Sequence, residues 1–468
     1  MTVLAAAEIA RRAGGRVEGD PGALADQWSF DSRSLSAGAC FVALQGHRDG
    51  HDFVRGAFAA GARVALVSRS PQPGVAVPDG AALVHVDDTL LALQAVARSL
   101  RADRPSLQVV AVAGSTGKTS TKDLLAAALS SRGCHANAES YNNEFGLPIT
   151  LCNAPDAAQV IVTEMGERFP GDLAALCTIA APNVGVVTNV GLAHAEHLGG
   201  HAGTVAVLAE LLDALPTDGV AVLPADDPFL PELAGATRAR VITVGHSAAA
   251  DLVIEDTRVD DRLRPSFVVD GQPFTLSLHG AHHAMNAAMA IAVAARVFDV
   301  ALADIATELD GATRSRWRME LLETDDGIVV INDAYNANPT SMRAALVALS
   351  HLPLTATGRR VAVLGDMREL GAHHDEAHRE IGAHAAALGI DCVIGVGAGG
   401  RALADAAKSG GASAARVDDA AGALEVVTAL VGPGDAVLVK GSRALGLEQV
   451  AAELLARGRV HCGEGERA

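Results

Sequence analysis

Short apolar runs separated by helix-length stretches recur along this chain. The runs at 107–113, 160–163, 184–188, 220–223 and 241–244 have strand character, whereas 123–129, 286–297 and 305–309 carry helical composition and spacing. After Gly327 the alternation resumes, with strand-like runs at 328–331, 361–364, 392–396 and 436–439. Strand-then-helix order repeated in this way predicts parallel sheets covered by helices, an α/β fold whose ligands sit at the carboxyl ends of the strands. One segment breaks the pattern: 267–278, split by Asp270-Gly271, predicts an antiparallel hairpin.

Two boundaries divide the chain. Residues 101–106 are polar, include Pro105 and directly precede the strand at 107; a second break falls at 311–316, after the helical segments. Three units follow, at 1–104, 105–312 and 313–468. With 49% hydrophobic residues the chain has ample material for buried cores, and the 3% aromatic content makes those cores aliphatic. A formal charge of -18 argues against a general nucleic-acid surface, because such binding rests on phosphate neutralisation. Six scattered cysteines (Cys40, Cys134, Cys152, Cys177, Cys392, Cys462) form no C-x-x-C pair and suit free thiols in a reducing compartment. The first residues carry Glu8 and Arg11-Arg12 after their apolar stretch, the wrong order for a signal peptide, and no run reaches membrane-spanning length. The expected location is the cytoplasm.

Only four lysines occur, against many arginines, and two of them, Lys118 and Lys122, share one stretch. That stretch joins the strand at 107–113 to the helix at 123–129 through Gly114-Ser115-Thr116-Gly117-Lys118-Thr119-Ser120. A glycine-rich strand-to-helix turn points backbone N–H groups and a helix N-terminus at one place, which attracts anions. Lys118 is then expected to reach the β- and γ-phosphates of a nucleoside triphosphate, with the Thr119 hydroxyl on Mg2+. The turn is the shorter G-S-T-G-K-T form, since Val112 stands where the full pattern has glycine.

Other strand ends hold further candidates. Glu164, in Thr163-Glu164-Met165-Gly166, is either a Mg2+ carboxylate or a solvated strand end. His194, after Thr188-Asn189-Val190-Gly191, is either a metal ligand or a hydrogen-bonded loop residue. Asn286, in Gly280-Ala281-His282-His283-Ala284-Met285-Asn286, either reads a base edge or caps a helix. The last unit concentrates three turns: 332–342 around Asp333-Ala334-Tyr335-Asn336-Ala337-Asn338-Pro339, 365–371 around Gly365-Asp366-Met367-Arg368-Glu369-Leu370-Gly371, and Lys440-Gly441-Ser442-Arg443. Each is composed of ordinary turn formers, and their concentration points to a second binding surface.

Taken together, G-S-T-G-K-T, T-E-M-G, T-N-V-G-x-A-H, the H-x-x-x-N helix start, D-A-Y-N-A-N-P-T-S-M, G-D-M-x-E-L-G and K-G-S-R resemble the Mur ligases. The resemblance extends to Phe30-Asp31-Ser32-Arg33 and 41–53 in the first unit and to Tyr141-Asn142-Asn143-Glu144-Phe145-Gly146-Leu147-Pro148 in the second. It implies a small N-terminal UDP-binding α/β domain, a central P-loop parallel-sheet ATPase domain and a C-terminal Rossmann-like α/β domain. It also implies a ligase that joins D-alanyl-D-alanine to UDP-N-acetylmuramoyl-tripeptide with ATP and Mg2+. A monomer that binds no nucleic acid and inserts in no membrane is expected. A sister ligase with another amine acceptor and a nucleotide-binding regulatory module are the competing readings. Carried over by resemblance, Gly114, Ser115, Thr116, Gly117, Lys118, Thr119, Ser120, Asn286, Arg316 and Asp333 belong to ATP, and Lys118, Glu164 and His194 to catalysis. Thr119, Glu164 and His194 belong to the metal, and Ser32, Arg33, Asn142, Asn143, Tyr335, Asn336, Asn338, Lys440 and Arg443 to the other substrates. Several members of the family place a carbamylated lysine shortly after the metal-binding histidine. The corresponding stretch here, 206–210, has none, and no lysine occurs from 123 to 407. No carbamate is expected.

Overall fold

The computed structural model describes residues 2–46, 48–70, 76–137, 140–313 and 315–461; Cys462 lies outside them. Its centre is a seven-stranded parallel sheet in the order Leu252–Val253, Arg240–Gly245, Val220–Pro224, Val184–Val187, Gln108–Ala113, Val160–Glu164, Cys134–Ala136. Val109 to Ala113 are fully buried because helices cover both sheet faces, and this is why that strand reads as an unbroken apolar run. The hairpin forms as its sequence predicts, Pro265–Val269 against Gln272–Thr275, with Asp270 and Gly271 both at positive φ.

The first sheet has five strands, ordered Arg16–Gly19, Ala82–His85, Val64–Val67, Cys40–Val42, Trp28–Ser29. Its helix Thr89–Ala102, capped by the Asp88 carboxylate, does not end in a solvated linker. Val96 and Leu100 share one core with Leu147, Leu173 and Leu176 of the central unit, and Arg101 is buried, donating to the Ala180 carbonyl at 3.1 Å. The polar composition of 101–106 thus hides an apolar junction. The third sheet runs Glu320–Glu323, Val329–Asp333, Ala436–Lys440, Arg360–Gly365, Cys392–Val396, Ser413–Val417, parallel except for its first strand. It meets the central unit through Leu263 and Leu192, which pack against its apolar core, and through polar contacts. Ser315 donates its hydroxyl to Asp123 at 2.8 Å, Asn338 Nδ2 donates to the Ser115 carbonyl at 3.1 Å, and Glu196 N–H donates to the Glu369 carbonyl at 2.9 Å. The short edge strands Cys134–Ala136 and Leu252–Val253 carry too few residues for a visible period, which is why the apolar pattern passes over them. Among the described residues no helix is long and apolar enough to cross a membrane.

Candidate active site

The strand Gln108–Ala113 delivers its glycine turn into the helix Lys118–Ala128 at the carboxyl edge of the sheet. Gly114 and Gly117 have φ of 129° and 81°, and a Cβ would stand 2.2 Å from Thr188 Oγ1 at the first and 2.6 Å from Asn286 Oδ1 at the second. Only glycine fits either place. The neighbouring strand end clamps the turn: Thr116 N–H donates to Asn189 Oδ1 at 2.9 Å, and Gly191 N–H donates to Ser115 Oγ at 2.8 Å. The T-N-V-G motif is therefore the frame of the anion cradle.

Lys118 reaches back over this cradle. Its Nζ donates to the Gly114 carbonyl and to Glu167 Oε1, the latter at 3.0 Å. The Glu167 side chain is 1% exposed. Burial pushes its carboxyl up to about 7 although the Lys118 ammonium pulls the other way. Glu164 is also buried; Thr119 Oγ1 and Asn142 Nδ2 both donate to its carboxylate, the second at 2.7 Å. Hydroxyl, two carboxylates and an imidazole thus gather around the phosphate loop, a donor set dominated by the hard oxygens that suit Mg2+.

His194 sits in the left-handed region (φ 53°) and its Nδ1 pairs with Glu369 of the third domain, which also pairs with Arg168. Burial first, and then the Lys118 charge, hold the His194 pKa below the ordinary imidazole value. A neutral ring donating from Nδ1 to Glu369 keeps its Nε2 lone pair for a cation, the tautomer logic of metal-binding histidines. The stretch at 206–210 supplies no comparable group. Leu208 is fully buried, and Glu210 accepts the N–H groups of Gly171 and Ala174 at 2.7 and 3.0 Å.

Two cavities meet here. One, of about 260 Å³, lies between Gly117, Ser120, His282, Asn286 and the third-domain residues Asp333 and Lys440. Asn286 is the fourth residue of the helix His283–Arg296, where it makes no cap; it lies against Gly117 of the phosphate loop and lines the smaller cavity. The other cavity, of about 700 Å³, is lined by Lys118, Thr119, Asn142, Asn143, Glu164, Glu167 and His194. Tyr335 and Asn336 border both. Asn338 caps the helix Pro339–His351 with its Oδ1 while its Nδ2 holds the Ser115 carbonyl. Asn143 Oδ1 accepts the Gly146 N–H at 3.0 Å, just ahead of the helix Gly146–Cys152.

Some sequence candidates stand elsewhere. Arg316 is exposed and outside both linings; Arg318 lines both cavities, 4.2 Å over the Tyr335 ring. The sequence spaces arginines at 314, 316 and 318, and alternation alone does not say which faces the cavity. Arg443 pairs with Glu448 at 2.7 Å and lies over Trp317, outside both cavities. Ser32 and Arg33 lie on a first-domain turn away from the linings, Arg33 bound to Asp31. Sequence reasoning passed over Glu167, which follows the T-E-M-G motif, and gave Glu369 no role within G-D-M-R-E-L-G. A cluster of Asp366, His374 and His378 also has the spacing of metal ligands. There, however, His378 Nε2 accepts the Met367 N–H at 2.9 Å and Asp366 Oδ1 accepts the Gly399 N–H at 3.0 Å, so the cluster braces the turn that carries Glu369.

Family models match three successive stretches of the chain. Residues 27–101 match the model of the Mur ligase family catalytic domain, 112–294 that of the Mur ligase middle domain, and 317–443 that of the Mur ligase glutamate ligase domain. The UDP-N-acetylmuramoyl-tripeptide--D-alanyl-D-alanine ligase of Mycobacterium tuberculosis is 40% identical over 91% of both chains. The protein of the same name from Bacillus subtilis is 35% identical over 91% of this chain and 92% of its own. Among solved structures, MurF from Acinetobacter baumannii superposes with a TM-score of 0.84 at 28% identity, covering 97% of this chain and 99% of that one. MurF ligase from Thermotoga maritima in complex with ADP gives 0.76 at 26% identity, covering 93% and 98%. By sequence and by architecture alike, the chain belongs to the Mur ligase family.

Proposed function

We propose that this chain is an ATP-dependent ligase of peptidoglycan precursor synthesis, joining D-alanyl-D-alanine to the terminal carboxylate of UDP-N-acetylmuramoyl-tripeptide through an acyl phosphate. The supporting relatives bear that activity in their names and align over nine-tenths of the chain. The observation that carries the reading is that the phosphate loop and the D-A-Y-N-A-N-P turn of the third domain wall the same cavities, tied by the hydrogen bond from Asn338 to Ser115. A triphosphate in the loop thus has its terminal phosphoryl facing the larger cavity, where an acid and an amine have room to meet.

A carboxylate is a poor acyl donor because its leaving group is oxide. Phosphorylation supplies a better one. Lys118 carries charge on the terminal phosphate, and the N–H groups of the glycine turn hold its neighbours. Thr119, Glu164 and His194 are the residues that would hold Mg2+, which when bound neutralises phosphate charge during transfer. Asn286, with Asp333 opposite, borders the nucleoside side of the site, and Tyr335 and Asn336 stand between nucleotide and acceptor. Asn142 and Asn143 face the acid, and Ser32 and Arg33 offer the first-domain surface for the UDP end. After phosphoryl transfer the dipeptide amine attacks the acyl carbon and phosphate leaves; the third domain, lying over the cavity, excludes competing water. One chain holds every group named, so a monomer suffices. The absence of disulfides among the described cysteines suits the cytoplasm.

ADP release measured with substrates added singly and together tests this reading. Little release is expected before the UDP-tripeptide is present, and full turnover only with both acceptors. Hydrolysis indifferent to both substrates would make the chain a nucleotide-driven regulator, and preference for another amine would make it a sister ligase.

A further inference from the structure

The amine acceptor of the proposed reaction carries a carboxylate of its own, and no residue named so far receives it. Four side chains able to carry positive charge line the larger cavity: Lys118, Arg168, His194 and Arg318. Lys118 belongs to the phosphate loop, and the His194 ring is paired with Glu369. Arg318 also borders the nucleotide cavity, stacked over Tyr335. Arg443 and Lys440 are spent on Glu448 and Asp333. Arg168 is left. It is half-exposed, and among the described residues its one acid is Glu369, reached through a single terminal nitrogen, Nη2. Its Nε and Nη1 groups have no acceptor among the described residues. The main chain beneath it is fixed, because Asp172 Oδ2, opening the helix Asp172–Ala180, accepts the N–H groups of Arg168 and Phe169 at 2.9 and 2.7 Å. Phe169 is the only one of four exposed large apolar side chains among the described residues that lines either cavity, and its ring centroid lies 5.6 Å from the Arg168 guanidinium.

Resting on the ligase reading, we propose that Arg168 receives the carboxylate of the incoming dipeptide. A planar fork with unspent N–H groups grips a carboxylate through two parallel hydrogen bonds, which a point charge does not. Phe169 gives the two methyl groups of the dipeptide an apolar face to cover. Glu369 of the third domain holds the fork through Nη2, so docking of that domain sets the direction from which the acceptor enters. Two extended residues span at most about 7 Å. Arg168 directly follows Glu167, the acid on Lys118, so a dipeptide anchored at Arg168 by its carboxylate turns its amine toward the phosphate loop and the acyl carbon.

Steady-state kinetics of the full-length protein with D-alanyl-D-alanine and with D-alanyl-D-alaninamide, which lacks the negative charge, tests this. Wild type is expected to show kcat/KM at least about tenfold lower for the amide, the scale of one charge-assisted contact. Arg168→Gln should lower kcat/KM for the acid by about the same factor, through KM of the dipeptide, and should use acid and amide alike. KM for ATP and for the UDP-tripeptide should stay where they are. A merely structural fault lowers both amines together and leaves their ratio as in wild type. Wild-type discrimination in the variant, equal use of acid and amide by wild type, or a rise in KM for the UDP-tripeptide instead of the dipeptide would each overturn the proposal. Should Arg168→Gln not fold, Arg168→Met, which keeps an apolar stem and removes the charge, is read in the same way. Wild type that releases ADP with the UDP-tripeptide but joins neither amine is a different outcome, which removes the ligase reading instead.

Discussion

Two lysines of this molecule look alike by burial and by partner, and they serve opposite ends. Lys440 is 2% exposed and holds Asp333 at 2.6 Å; Lys118 is 14% exposed and holds Glu167 at 3.0 Å. The difference lies in what surrounds each pair. Asp333 and Lys440 are register partners on adjacent parallel strands, and the same ammonium donates to the Asn336 carbonyl at 2.8 Å. Lys440 therefore fixes both ends of the D-A-Y-N turn, held by two anchors on its own domain although it also borders the smaller cavity. Lys118 opens a helix at the rim of a cavity, and its acid stands beyond the end of a different strand. A buried ion pair says that two charges are matched; the Asp333–Lys440 pair is also fixed by strand register, whereas the Lys118–Glu167 pair is held by the side chains alone.

The comparison breaks most visibly at Lys440. Lys440→Met should cost about 3–5 kcal/mol of stability, the usual penalty for stranding a buried charge, here Asp333, as read by urea unfolding. Lys118→Ala should behave differently: turnover falls by at least about 10²-fold, the scale of one lost electrostatic contact to the reacting group. Its stability should change by under about 1 kcal/mol, because Glu167, already near neutrality, takes up a proton when the ammonium goes. Equal stability losses in the two variants would erase the distinction.

Glu369→Gln sharpens it at the domain junction. Its carboxylate gathers His194 and Arg168 across the boundary, both partly exposed, so stability should move by less than about 1 kcal/mol. Turnover should drop by about tenfold as the third domain loses register with the phosphate loop; parallel losses in melting temperature and turnover would make the contact a mere brace. The smallest effect concerns His282, on the Lys440 side, which burial, with a smaller push from Lys440 against the pull of Asp333, holds down to about 4. Between its unfolded value near 6.5 and 4 the unfolded chain binds the proton that the folded chain refuses. Stability is thus fully present above about 6.5 and declines as the pH falls toward 4. His282→Gln should flatten the slope of melting temperature against pH in that window; an unchanged slope would assign it to other groups.

The sequence by itself determined the parallel-sheet architecture, since a strand buried on both faces must be apolar throughout, and it determined the phosphate loop, since Gly114 and Gly117 stand where any Cβ collides. It also located the strand ends that carry Glu164, His194 and Asp333. Only the tertiary structure decided which charges meet. Arg318 rather than Arg316 borders the cavities, and Glu369 reaches His194 across 175 positions. The polar composition at 101–106 conceals an apolar junction because Arg101 finds carbonyls contributed by a distant helix end. Local pattern reports which surfaces must be hidden; the pairing of charges depends on distances between segments that no local pattern encodes.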